Sequence, residues 1–143
     1  MKARVYLDSS AYLASLTNDV RATAVRRELE HAAVMSSVLL LVETERTLVR
    51  LSREGKLKTS DYVTLLRSVD ADMETFALAP IGIDLCTNRV MPTVSTPRTL
   101  DLLHLRTALW FHEQQPLSSF LSLDAAQNHA AAELGLPLSG IRS

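Results

Sequence analysis

Short β-like runs and longer runs of helical period alternate along the chain. Arg4-Val5-Tyr6-Leu7 is a β-branched and aromatic run that breaks at Asp8-Ser9-Ser10, residues that start helices, and Ala11 to Ala14 continues as a short helix. Arg21 to His31 reads as an amphipathic helix, Ala33 to Ser36 as a buried strand, and Val38 to Glu54 as a long helix stopped by Gly55. A further helix runs from a Thr59 or Ser60 cap to about Glu74, followed by a strand over Phe76 to Ile83 and a short helix over Leu85 to Val90. Asn88 to Arg98, with Pro92 and Pro97, is the longest connection without a clear period. Thr99, as cap, opens a strong helix to Glu113 that Pro116 ends. Ser119 to Leu123 is strand-like, Asp124 to Leu134 is helical with Gly135 as its stop, and Leu136 to Leu138 suits a last short strand. Strands alternating with helices predict an α/β sandwich with a mostly parallel sheet.

The 143 residues contain no repeat and no linker, so one domain over 1–143 is expected. At this length folding hides roughly 70% of the unfolded chain's surface, enough for a core without staples. With 47% hydrophobic and 22% charged residues the balance is globular rather than disordered. The single cysteine, Cys86, excludes an intrachain disulfide and suits a reducing, cytoplasmic setting. Asp8 arrives before a signal-peptide core can build, and the longest uncharged run, Ala32 to Val42, is too short to span a bilayer. Secreted scaffolds and membrane proteins are therefore not expected. A net charge of −1 argues against a non-specific nucleic-acid coat. All but three of the fifteen basic residues (Lys2, Lys56 and Lys58) are arginine, which suits phosphate recognition and equally suits a coding bias. Four glycines and no GxGxxG or GxxxxGK[ST] motif exclude a glycine-rich phosphate loop.

Four carboxylates stand at informative positions. Asp8 and Asp124 each follow a predicted strand and precede a helix, the edge at which open parallel sheets bind ligands; each is also a natural helix N-cap. Asp101 lies in the first turn of the best-defined helix, favoured there by the helix dipole, yet amid Leu100, Leu102, Leu103 and Leu105. Glu43 follows five apolar residues and points to nearly the opposite side of its helix from Glu45; an ion pair with Arg46 is the plain structural reading.

Taken in order, Tyr6-Leu7-Asp8-Ser9-Ser10-Ala11, then Ser36-Ser37-Val38 leading to Val42-Glu43, then Arg98 to Leu105 and Ser122-Leu123-Asp124, resemble the signatures of PIN-domain ribonucleases. Ala131 to Pro137 is similar to the segment that follows the last acid in that family. The likeness spans nearly the whole chain and is greatest to VapC-type toxins of toxin–antitoxin pairs. It implies a three-layer α/β/α fold in which Asp8, Glu43, Asp101 and Asp124 gather at one sheet edge and bind Mg²⁺ or Mn²⁺, supported by Ser10. Elementary electrostatics agrees: unit charges of one sign 4 Å apart repel by about 4 kcal/mol at an effective dielectric near 20, so such a cluster calls for a cation. Carboxylate donors without Cys or His suit a hard ion rather than zinc. The implied activity is endonucleolytic cleavage of RNA, with a cognate antitoxin and a homodimer as implied partners and no membrane association. The rival reading is a PIN-like protein- or RNA-binding module without chemistry.

Gln127 departs from the family pattern, which carries an apolar residue three after the last acid, and Asp124 is the acid a capping role explains best. His104 shares a helix face with Asp101; a packed structural histidine is the favoured reading over a metal ligand. Arg46, Arg50 and Arg53 share a face that suits RNA phosphates or, equally, a solvated surface. Trp110 and Phe111 read as packing residues and Tyr12 as an interface candidate. A phosphatase of the haloacid-dehalogenase type would need an acid where Ser10 stands, and a receiver domain a late lysine that the chain lacks.

Overall fold

The computed structural model describes residues 1–88, 94–95 and 98–141. Its elements run β1 (Ala3–Leu7), α1 (Ser9–Leu16), α2 (Ala22–Glu30), β2 (Ala32–Ser37), α3 (Leu39–Arg53), α4 (Thr59–Thr75), β3 (Ala77–Ala79), α5 (Ile83–Thr87), α6 (Thr99–Gln114), β4 (Ser119–Leu121) and α7 (Ala125–Glu133). The four strands form one parallel sheet in the order β3-β2-β1-β4. The chain winds outward from β1 through β2 to β3, then returns to the far side of β1 to add β4. The winding direction therefore reverses between β1 and β4.

Period-two alternation sorts the strand side chains into two cores. Val5, Leu7 and Val34 pack with Ala11 and Tyr12 of α1, Val25 of α2, Leu40 and Leu48 of α3 and Val69 of α4. Tyr6, Met35 and Phe120 face the other way and pack with Leu105, Ala108 and Phe111 of α6 and Ala130 and Ala131 of α7. The result is the expected three-layer α/β/α sandwich. Tyr6 and Phe120 are register partners across β1 and β4, and their rings stack at 5.6 Å. Burying each such aromatic or leucine contributes roughly 1.5–3 kcal/mol. Gly55 and Gly135 stand just beyond α3 and α7 with φ of +72° and +78°, the left-handed turn that ends a helix and that side chains with a Cβ rarely adopt.

Several boundaries differ from those predicted. The strand expected over Phe76 to Ile83 is confined to Ala77–Ala79, because Pro80 brings no N–H to the ladder. The short helix expected over Leu85 to Val90 begins earlier, at Ile83–Thr87; Val90, Pro92 and Pro97 lie outside the described residues. The strand at Ser119 ends at Leu121, and Leu136 to Leu138 contributes a single parallel bridge, Leu138 to Phe120. Thr59 and Thr99 are the first helical residues rather than caps; Lys58 and Arg98 occupy the cap positions without side-chain cap bonds. Tyr12 is buried at 1% exposure and donates from its hydroxyl to Asp72 Oδ2 at 2.7 Å, so it holds α1 to α4 and offers no interface. Among the described residues no helix is long and apolar enough to cross a membrane.

Candidate active site at the carboxyl edge of the sheet

Ligands of open parallel sheets bind outside the carboxyl ends of the strands where the winding reverses. Here that point lies between β1 and β4, with Asp8 the first residue after β1 and Asp124 three residues beyond β4. Asp8 follows β1 directly, and its N–H continues the ladder to Leu121 O at 2.9 Å. The Asp8 side chain is buried at 3% exposure. Ser122 Oγ donates to Asp8 Oδ2 at 2.8 Å and Ser10 Oγ donates to the same oxygen at 3.0 Å. Asp8 Oδ1 is buried and has no hydrogen-bond partner among the described residues. Asp8 occupies the N-cap position of α1 yet its carboxylate caps nothing, so the capping explanation does not account for it. Burial raises its pKa above 3.8, Glu43 adds to the rise, and His104 and the two serine hydroxyls counter it.

The opposite holds for Asp124. It is exposed, and its Oδ1 accepts from Ala126 N at 2.9 Å and Gln127 N at 3.1 Å, a working N-cap of α7. Asp101 is half-buried in the first turn of α6, where burial raises its pKa and the charges of Asp8 and Asp124 raise it further, against Arg98 and His104. Asp101 is thus within electrostatic reach of both Asp8 and Asp124. Glu43, in the second turn of α3, makes no ion pair with Arg46 among the described residues. Its Oε1 lies 2.6 Å from His104 Nε2, and its Oε2 accepts from Ser9 Oγ at 3.2 Å.

Ser10 reaches further than the resemblance implies. Its Oγ also accepts from Leu123 N at 3.0 Å and lies 3.2 Å from Ser122 Oγ, so it ties β1 to β4 across the switch point. Ser122 Oγ likewise accepts from Asp124 N at 3.1 Å. Ser122, Ser9 and Tyr6 were not singled out by sequence reasoning as parts of the site, and His104 was weighed as a metal ligand but read as a packed histidine. Ser122 offered one signal, a hydroxyl inside the otherwise apolar run Phe120 to Leu123, two residues before an acid.

His104 is fully buried and bonds on both ring nitrogens, to Glu43 and, at Nδ1, to Tyr6 Oη at 2.7 Å. Burial lowers its pKa, but the hydrogen bond to Glu43 and the charges of Asp8, Glu43 and Asp101 outweigh that and leave it above 6.5. Arg46, Arg50 and Arg53 lie exposed along α3; Arg50 pairs with Glu54 at 3.5 Å. A cavity of about 930 Å³ lies at the opposite, amino edge, lined by Lys2, Tyr12, Arg26, Ala32 and Phe76 among others, and includes none of the four acids.

The donor chemistry at the carboxyl edge fits a hard divalent cation. A buried carboxylate with one oxygen saturated by two hydroxyls and the other unpaired is costly without a positive partner. Among the described residues, no three His, Cys, Asp or Glu side chains are already gathered tightly enough to hold an ion.

A protein-family comparison matches residues 5–133 to the PIN domain. The chain belongs to the PIN domain family. Members of this family are generally nucleases that use divalent metals, so hydrolysis of nucleic acid is the activity class that membership brings. No curated protein matches the chain.

Proposed function

We propose that this protein is a Mg²⁺- or Mn²⁺-dependent endoribonuclease with its reaction centre at Asp8. The observation that carries this reading is the buried, half-satisfied Asp8 carboxylate at the switch point, with Asp101 close enough for burial and then the charges of Asp8 and Asp124 to raise its proton affinity. Asp8, Glu43, Asp101 and Asp124 would hold the ion. When bound, a divalent cation neutralises charge on the scissile phosphate and makes water a stronger acid. The chain's own part is to fix Asp8 through Ser10 and Ser122, to orient Glu43 through Ser9 and His104, and to bring RNA in along basic side chains. Arg46, Arg50 and Arg53 are the residues proposed to meet phosphates. Their local charge matters because the net charge of −1 supplies no general attraction.

The likeness to VapC-type sequences extends the proposal to a single-domain, cytoplasmic toxin that is held inactive by an antitoxin protein and works as a homodimer. One observation favours the rival, a PIN-like binding module without chemistry: the described residues contain no gathered trio of ligands. Cleavage of a mixed RNA pool by antitoxin-free protein, with Mg²⁺ or Mn²⁺ against EDTA and with Asp8→Ala as control, separates the two. Cleavage lost in both controls supports the nuclease. Absence of cleavage together with absence of metal binding by calorimetry supports the binding module.

A further inference from the structure

A line of hydrogen bonds crosses the carboxyl edge from one core to the other. Tyr6 in β1 and His104 in α6 belong to one face of the sheet, and Glu43 comes from α3 on the other. The residues are far apart in sequence, and each polar contact in the line is short: Tyr6 Oη to His104 Nδ1 at 2.7 Å, His104 Nε2 to Glu43 Oε1 at 2.6 Å. A carboxylate accepts hydrogen bonds and donates none, so the proton between His104 and Glu43 belongs to Nε2. In a neutral ring Nδ1 is then bare and takes the Tyr6 O–H; in a charged ring Nδ1 donates to Tyr6 instead, and the bond to Glu43 is unchanged. Tyr6 is itself fully buried, stacked on Phe120 at 5.6 Å and tilted against Phe111 at 6.3 Å. The histidine ring meets it edge-on, at 75°.

We propose that His104 is a positioning residue of the acidic site: clamped by Tyr6 at Nδ1, it presents Nε2–H to Glu43 and fixes where that carboxylate stands relative to Asp8. The inference rests on the nuclease reading above. Ser9 Oγ, at 3.2 Å from Oε2, holds the second oxygen, so rotation of the Glu43 carboxylate is removed from both ends. Each oxygen keeps a further lone pair for a cation. Loss of an outer group that holds a metal ligand in place costs about 10- to 100-fold in metal affinity or activity. The buried ring needs an acceptor at its far nitrogen, and the one it has is a carboxylate of the acidic edge from the opposite layer.

The test uses the full chain and three variants, Tyr6→Phe, His104→Gln and His104→Ala. Tyr6→Phe keeps the aromatic packing and removes only the hydroxyl; His104→Gln keeps a side-chain donor for Glu43. Nitrogen-15 spectra of metal-free wild type should show His104 protonated at Nε2. His104→Ala should weaken Mn²⁺ binding, read by calorimetry, by about 10- to 100-fold and slow single-turnover RNA cleavage at saturating RNA by a similar factor. Tyr6→Phe should move both in the same direction by less, and His104→Gln should recover most of the loss. Melting curves check that each variant folds, and if His104→Ala does not, the comparison of Tyr6→Phe with His104→Gln decides. A His104 ring with its only proton on Nδ1 overturns the proposal. So do folded variants that bind Mn²⁺ and cleave as wild type does, or a His104→Gln chain no better than His104→Ala. A wild type that neither binds Mn²⁺ nor cleaves RNA overturns the nuclease reading itself, an outcome distinct from a competent wild type with indifferent variants.

Discussion

Ser122, one residue beyond β4, donates to the buried Asp8 carboxylate at 2.8 Å across the junction with β1. That bond and its neighbour from Ser10 satisfy one carboxylate oxygen and leave the other unpaired. The site therefore keeps a buried negative charge that packing alone does not reward. A cation would relieve that cost, and its persistence without one has a measurable consequence for stability.

Asp8 has its pKa raised above 3.8 by burial, so the folded state holds its proton more tightly than the unfolded state does. By linkage, stability falls as pH rises through the window between 3.8 and the folded-state pKa, and the penalty is fully present above that window. Asp8→Asn, which keeps an oxygen for both serines and carries no charge, should raise the melting temperature of metal-free protein at pH 7 by a few degrees. The gain should shrink as pH is lowered and vanish below 3.8, where the wild-type acid is protonated in both states. Calorimetry in EDTA at a series of pH values checks it. Added Mn²⁺ should reverse the order, stabilising wild type by about 2.7 kcal/mol at a hundredfold excess over the dissociation constant and leaving Asp8→Asn unmoved.

Asp124 pays its way in the fold, accepting from two backbone N–H groups at the start of α7. Asp124→Ala should cost about 1 kcal/mol, as loss of an N-cap does, a drop of about 3 to 5 °C in melting temperature. Asp124→Ser, which also caps, should restore most of that stability. The pair then separates the two roles. If cleavage by Asp124→Ser stays within a few-fold of wild type, the carboxylate serves the helix; a large loss despite a normal melting temperature assigns it to the reaction.

Arg4 to Leu7 and Ala33 to Ser36 were legible as strands, but the division of Val5, Leu7 and Val34 from Tyr6 and Met35 into two cores came with the structure. The ordered set of Asp8, Glu43, Asp101 and Asp124 was legible only through a family likeness, because each residue alone has a sufficient structural explanation. Coordinates removed that explanation for Asp8, which caps nothing, and strengthened it for Asp124. The Tyr6–His104–Glu43 line was not legible. It joins three elements whose spacing along the chain carries no period, and its bonds depend on side-chain direction at a sheet edge. Pro80 shortened β3 for a reason the sequence contained, its missing N–H, which the β-like run around it concealed.

Gln127 shows a different kind of misfit. It is 1% exposed, and its Nε2 donates to the Asp101 carbonyl at 2.9 Å while its Oε1 is buried without a partner among the described residues. The amide thus makes one bond and leaves one acceptor unsatisfied, two effects of similar size and opposite sign, each about 1 kcal/mol or somewhat more. Gln127→Leu, close to it in volume, should leave stability within about 1 kcal/mol of wild type, since it gives up the bond and the unsatisfied carbonyl together. Gln127→Ala should be clearly worse, because it also opens a cavity between α6 and α7. Urea midpoints of the two variants decide between this account and one in which the bond to α6 dominates.

Arg46, Arg50 and Arg53 lie exposed on α3, the helix that carries Glu43, and Arg50 is partly occupied by Glu54 at 3.5 Å. If the three side chains neutralise RNA phosphates, binding must release counterions, and the loss of each contact makes the salt dependence shallower by about 0.7 in the log–log slope for single-stranded RNA. The triple alanine variant should therefore flatten the slope by about 2 and raise KM at moderate salt, with single-turnover rate at saturating RNA little changed. Removing Arg50 alone should have the smallest effect of the three, because its charge is already partly answered within the helix. An unchanged slope in the triple variant would mean that this face of α3 is solvated surface, and that RNA reaches the acids along another path.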